Sequence, residues 1–235
     1  ALPISQHLTE ISELLKQGKA DLGFVVDPDV DRLAIICEDG SMFGEEYTLV
    51  SVADYILAHT PGNTVSNMSS SRALSDITRK HGGEYTASAV GEVNVVAQMQ
   101  KVNAIIGGEG NGGVIYPACH SGRDALVGVA LFLSHMAKMD MTVSAYRQTL
   151  PEYYISKNRI DLTPDTDIDA ILARVKDIYK EERVNDIDGV KIDFAEGWVH
   201  LRKSNTEPII RVYSEAATMD KANTLAQQVI AIINE

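Results

Sequence analysis

Three aspartates at alternate positions, Asp27, Asp29 and Asp31, stand in the segment DPDVDR, which ends in Arg32. Such carboxylates can face one concavity where the chain curls at a strand end, and hard oxygen ligands of this kind select Mg²⁺ or Ca²⁺. Without a cation, carboxylates this close repel one another and raise their pKa values. A solvated acidic turn is the plain alternative. A calcium EF-hand fits poorly: Glu38 is twelfth counted from Asp27, but Arg32 is sixth, where a glycine must make the turn, and the flanks read as strands. An aspartyl nucleophile of phosphatase type is left open by these six residues.

Two further segments could bind a polar ligand. GGEGNGG, residues 107–113, sets Glu109 and Asn111 among glycines. Glu109 accepts hydrogen bonds and Asn111 both donates and accepts them, which suits the paired hydroxyls of a sugar; a glycine-rich turn without a ligand is the alternative. RKSNTEP, residues 202–208, gathers Arg202, Ser204, Asn205 and Thr206, with Arg211 soon after. A guanidinium fork, hydroxyls and turn amides make a nest for phosphate, although a polar hairpin turn would look similar.

The elements that position these segments follow from hydrophobic period. Leu8, Ile11, Leu14 and Leu15 have helical spacing up to Gly18, and apolar runs at 22–26 and 33–36 read as strands that put the acids at a strand end. A helix is expected over 45–59. Strands near 64–67, 84–87 and 103–106 alternate with helices over 71–80 and 92–101, the pattern of βαβ units in a largely parallel sheet. The glycine-rich segment follows the last of these strands, where α/β sheets bind ligands. A helix over 123–137 and a short one before Pro151 close this part. Beyond it, a strand over 153–161, a helix over 167–180, strands near 198–203 and 209–213 and a helix over 220–233 describe a small α+β domain.

Of the 235 residues, 45% are hydrophobic and 23% charged, with no apolar run near the roughly 18 residues of a membrane span. The formal net charge of −12 argues against a nucleic-acid partner, whose phosphates need a positive surface. Two cysteines, Cys37 and Cys119, are too few for a disulfide framework, and a reducing cytoplasm is the expected setting. ALPISQHLTE at the start has neither a basic beginning nor a long apolar core, so no secretory signal is expected. With no initiator methionine and one helix and strand before the acidic segment, the sequence reads as a domain fragment.

Taken in order, the three segments resemble those of the α-D-phosphohexomutases, the family of phosphoglucomutases, phosphomannomutases and phosphoglucosamine mutases. VGEVNV, residues 90–95, and HSGRDA, residues 120–125, are also similar to third-domain segments of that family. The resemblance spans nearly the whole chain. It implies an α/β fold in three parts: the end of a second domain carrying the metal loop (1–41), a parallel-sheet βαβ third domain with the sugar loop (42–152), and a small α+β fourth domain with the phosphate loop (153–235). By the same resemblance Asp27, Asp29 and Asp31 hold Mg²⁺ and Arg32 neighbours the reacting phosphate. Glu109 and Asn111 hold sugar hydroxyls, while Arg202, Ser204, Asn205 and Thr206 hold the phosphate that is not reacting. Arg72 falls near a basic active-site position of the family. Two departures stand out: Asn111 replaces the commoner serine, and Glu92 stands where some members carry a histidine, so no general base is assigned. The implied ligands are a hexose phosphate and a hexose bisphosphate. The implied partner is the missing N-terminal part of the same protein, which carries the family's phosphoserine loop.

Overall fold

The structure, a computed structural model, describes residues 8–163, 166–204 and 207–234. It is mixed α/β and divides into two compact units, Ala1–Pro151 and Glu152–Glu235.

The first unit opens with helix α1 (Thr9–Lys16), then strands β1 (Leu22–Val26) and β2 (Leu33–Cys37), which pair antiparallel from Leu22 opposite Cys37 to Val26 opposite Leu33. The acidic segment is the loop across the end of this ribbon. All five residues of β2 are buried, so its sequence lacks the alternation of a half-exposed strand. Burying such side chains contributes roughly 1.5 to 3 kcal/mol each, enough to fix the ribbon on which the acids sit. Helix α2 (Glu45–His59) follows and packs against both sheets of the unit and two of its helices. It is buried nearly all round, from Tyr47 to Leu57, with the polar Thr48, Ser51 and Asp54 among its buried residues.

Next come β3 (Asn63–Asn67), α3 (Ala73–Lys80), β4 (Tyr85–Ser88), α4 (Glu92–Val102), β5 (Ala104–Glu109), β6 (Gly113–Ile115), α5 (Ala125–Met136) and α6 (Val143–Thr149). The sheet order is β4-β3-β5-β6; β3 is parallel to both β4 and β5, and β6 turns back antiparallel. Asn67, Ser88 and Glu109 therefore end three parallel strands at one edge, the edge where such sheets bind ligands. One expectation is corrected here. Residues 107–109 of the glycine-rich segment are strand, not loop, because Gly107 and Gly108 pair with Val65 and Ser66 on one side and with Ile115 and Val114 on the other. Pairing on both edges overrides the low strand propensity of glycine, and only residues 110–112 form the turn.

The second unit contains β7 (Tyr154–Asp161), α7 (Ile168–Ile178), β8 (Arg183–Asn185), β9 (Val190–Asp193), β10 (Gly197–Lys203), β11 (Ile209–Ala216) and α8 (Met219–Asn234). Its sheet is wholly antiparallel, in the order β7-β11-β10-β9-β8. Val190, Ile192, Val199, Leu201, Ile210 and Val212 form its buried core with Ala222, Leu225 and Val229 of α8 and Val175 of α7. Strands β8 and β9 were not expected from the sequence. Among the described residues no helix is long and apolar enough to cross a membrane.

Candidate active site

The acidic loop is organised by Asp27, which is 7% exposed. Its Oδ1 accepts the backbone N–H groups of Asp31 (3.1 Å) and Arg32 (3.2 Å), so the carboxylate closes the loop on itself. Val30 adopts a positive φ of 57° within it, and its carbonyl accepts the N–H of Ala125 at 3.1 Å, seating the loop on the start of α5. Burial alone would lift the Asp27 carboxyl, but the hydrogen bonds from Arg32 and Asp31 and the Arg32 charge outweigh it and hold it below the usual range. Asp31 goes the other way: burial, with the Asp27 carboxyl alongside, lifts it despite Arg123 and Arg32.

Arg32 reaches both acids loosely, its Nε 3.9 Å from Asp27 Oδ2 and 3.8 Å from Asp31 Oδ1. That Nε and Asp31 Oδ1 are both buried and make no hydrogen bond among the described residues. Two orphaned polar atoms in one place mark a site that asks for a ligand. A pair of neighbouring carboxylates, one with a buried oxygen that makes no hydrogen bond, is an all-oxygen donor set that suits a hard cation. Asp27 and Asp31 fit that description. Asp29 is exposed, and among the described residues no three acidic, histidine or cysteine side chains stand together as a cation cage.

The glycine-rich turn is held from beneath. Gly110 N–H donates to Ser70 Oγ (2.9 Å), and a Cβ at Gly110 would lie 1.9 Å from Glu46 Oε2, the same carboxylate oxygen that accepts Ser71 N–H at 2.8 Å. Gly112 has φ +88°, and its carbonyl accepts Leu33 N–H at 3.0 Å, a direct backbone tie to the end of the acidic loop. Glu109 is 4% exposed; its Oε1 accepts Asn67 Nδ2 (2.7 Å) and Gly91 N–H (3.2 Å). Asn111 is half-buried and turns its Oδ1 onto Gly113 N–H at 3.2 Å. Arg72 occupies the N-cap position of α3 and Glu92 is the first residue of α4, so both sit where helices begin after the parallel strands β3 and β4.

Arg123, to which sequence reasoning gave no role, joins these pieces. Its Nη1 donates to Glu109 Oε2 at 2.7 Å and its Nη2 to Asp31 Oδ2 at 2.5 Å, while its backbone N–H donates to Glu92 Oε1 at 2.9 Å. Asp27, Asp31, Arg32, Glu92 and Glu109 are thus one connected group. The only signal in the sequence was the HSGRDA segment itself, read as family likeness. Cys37, a nucleophile by type, is excluded: it is buried, and burial pushes its thiol up to about 11.

In the second unit, Arg202 near the end of β10 lies directly opposite Arg211 on β11, which lies opposite Arg159 on β7. Like charges facing across strands are destabilising unless something balances them. Asp188 Oδ2 lies 3.8 Å from Arg202 Nη1, and Glu207 Oε2 lies 2.6 Å from Arg211 Nη2. Ser204 is buried, its N–H donating to the Ile209 carbonyl at 3.0 Å. Asn205 and Thr206 lie outside the described residues.

Two models of one family match the chain: residues 44–154 match phosphoglucomutase/phosphomannomutase alpha/beta/alpha domain III, and residues 161–232 match the phosphoglucomutase/phosphomannomutase C-terminal domain. The chain belongs to the α-D-phosphohexomutase family. Among relatives, a phosphoglucomutase/phosphomannomutase of Thermococcus kodakarensis is 34% identical over 99% of this chain and 51% of its own length. A phosphoglucosamine/phosphogalactosamine mutase of Sulfurisphaera tokodaii is 30% identical over 98% of this chain and 52% of its own. The chain therefore spans about half the length of these α-D-phosphohexomutases. A crystal structure of a phosphoglucomutase/phosphomannomutase family protein from Burkholderia thailandensis superposes with a TM-score of 0.83 at 24% identity, covering 97% of this chain and 49% of that one, and so shares its fold.

Proposed function

We propose that the chain is the C-terminal part of a phosphohexomutase, an intramolecular phosphotransferase that moves a phosphoryl group between the C1 and C6 oxygens of a hexose by way of a bisphosphate. In this reading residues 1–41 end the second domain, 42–152 are the third and 153–235 the fourth. The N-terminal part supplies the phosphoserine. The observation that carries the reading is the joining of the acidic loop to the glycine-rich turn, through Leu33 N–H to the Gly112 carbonyl and through Arg123, at the carboxyl edge of a parallel sheet in a chain of this family.

Asp27 and Asp31, with the exposed Asp29 as the third carboxylate of the reading, would hold Mg²⁺, which when bound offsets charge on the transferring phosphoryl group. Arg32 stands beside both acids and places a fixed positive charge at the same point. Glu109 has its Oε1 taken by Asn67 and Gly91 and its Oε2 by Arg123, so a sugar hydroxyl would share Oε2 with that guanidinium, alongside the Asn111 amide. Arg202, Ser204, Asn205 and Thr206, with Arg211 beside them, would bind the second phosphate as an anion that settles the opposed arginines. Arg72 and Glu92 sit on the same sheet edge, Arg72 as a further cation toward phosphate and Glu92 as a support for Arg123. The bisphosphate must turn around between half-reactions, which favours contacts that accept either orientation. The motifs lean toward phosphoglucosamine-type or mixed phosphoglucomutase/phosphomannomutase substrates. Sugar-phosphate chemistry and two free cysteines, one buried and one exposed, support a cytoplasmic setting.

The test is an assay of the full-length protein for interconversion of hexose 1- and 6-phosphates with Mg²⁺ and a hexose bisphosphate activator. Turnover of glucose, mannose or glucosamine phosphates is expected. Turnover of none of them would overturn the reading.

A further inference from the structure

Arg123 belongs to neither the acidic segment nor the glycine-rich one, yet it is the side chain that touches both. Its side chain is 14% exposed and spends its two terminal nitrogens on two different carboxylates, Asp31 at 2.5 Å and Glu109 at 2.7 Å. Among the described residues Arg123 is the hydrogen-bond partner of Asp31 Oδ2 and of Glu109 Oε2. The backbone on either side leaves it little freedom. Glu92 Oε1 fixes its N–H, Asp124 caps α5 immediately after it, and a Cβ on Gly113 would stand 2.5 Å from its Cδ.

We propose that Arg123 is a positioning residue that couples the acidic loop to the glycine-rich turn, so that a divalent cation at Asp31 and the state of Glu109 are each felt by the other. The inference rests on the reading of Asp27 and Asp31 as cation ligands. A guanidinium keeps its charge at any pH a protein survives, and its planar fork holds two acceptors at once. A cation and Arg123 therefore compete for the Asp31 carboxylate. When Asp31 turns toward the cation, Arg123 is left to Glu109 alone, and the oxygen that faces the sugar gains a firmer partner. Conversely, removing the charge of Glu109 frees Arg123 to hold Asp31 more tightly against the cation. Linkage requires the two effects to be equal in free energy.

The test is a thermodynamic cycle read by Mn²⁺ titration, with free Mn²⁺ followed by electron paramagnetic resonance, on the parent chain, R123Q, E109Q and R123Q/E109Q. R123Q is expected to bind Mn²⁺ about threefold tighter or more, since one positive charge leaves the side of the acids. E109Q is expected to weaken Mn²⁺ binding in the parent and to have at most about a twofold effect in the R123Q background. Equal effects of E109Q in both backgrounds would overturn the proposal, because the influence of Glu109 would then be a direct field. Unchanged Mn²⁺ affinity in R123Q would overturn it too. If R123Q does not fold, R123K takes its place: an ammonium cannot hold both carboxylates in parallel, so the E109Q effect should vanish while Mn²⁺ affinity stays near the parent value. Failure of the parent chain to bind Mn²⁺ at all would overturn the metal-loop reading, and this proposal with it.

Discussion

At the scale of single residues, the site depends on a few contacts that leave no room for substitution. Gly112 combines φ +88° with an approach so close that a Cβ would lie 2.5 Å from the Leu33 carbonyl oxygen. Both the left-handed backbone and the overlap with main chain penalise a side chain there. Gly112→Ala is expected to destabilise the first unit by about 2 to 4 kcal/mol in urea denaturation, and a shift under about 0.5 kcal/mol would contradict the contact. The types of the candidate site residues were readable in the sequence, because alternate aspartates and a glycine-rich segment are local patterns. Their connection was not. Asp31 and Arg123 are 92 positions apart, and no periodicity encodes a contact of that range. Asp29, counted in the sequence as an equal of its neighbours, is exposed, whereas Asp27 is buried and accepts the loop's own N–H groups.

Among the elements, α5 has a special position, since the residue before its cap is Arg123. Asp124 accepts Val127 N–H at 3.0 Å and so sets where the helix starts. Asp124→Ala is expected to cost about 1 kcal/mol of stability and, unlike a cap elsewhere, to shift Mn²⁺ affinity as well. Asp167→Ala, which removes the equivalent cap of α7, is the control, measured by the same titration and melt. Helices and strands with a clear period were legible almost to their ends: the helix expected over 45–59 is α2 as it stands. Strands β8 and β9 were illegible for a physical reason. They have three and four residues, rich in charge, and exist because β10 offers β9 an edge and β9 offers one to β8.

For the molecule as a whole, buried histidines tie stability to pH, and His200 of the second unit is the clearest case. His200 on β10 is 1% exposed with Nε2 2.7 Å from the Asp188 carbonyl; burial, aided by the charges of Lys191 and Arg202, pushes it down to about 4. Its folded value lies below that of an unfolded histidine, near 6.5. The unfolded chain therefore binds the extra proton between those values, and the contribution of His200 is complete above about pH 6.5 and lost as pH falls toward 4. The loss amounts to at most about 3 kcal/mol. Urea midpoints at pH 7 and pH 4.5 should show the second unit weakening, and His200→Gln should flatten that part of the slope. The paired arginines of the same unit have another consequence. Arg202 and Arg211 do not wait bare for an anion, since Asp188 and Glu207 already stand against them. On the proposed phosphate role, an arriving phosphate would displace resident carboxylates as well as dissolved counterions, so recognition would be an exchange of anions on the protein. Such an exchange would carry its own selectivity, favouring a dianion that replaces both carboxylates over a monovalent chloride.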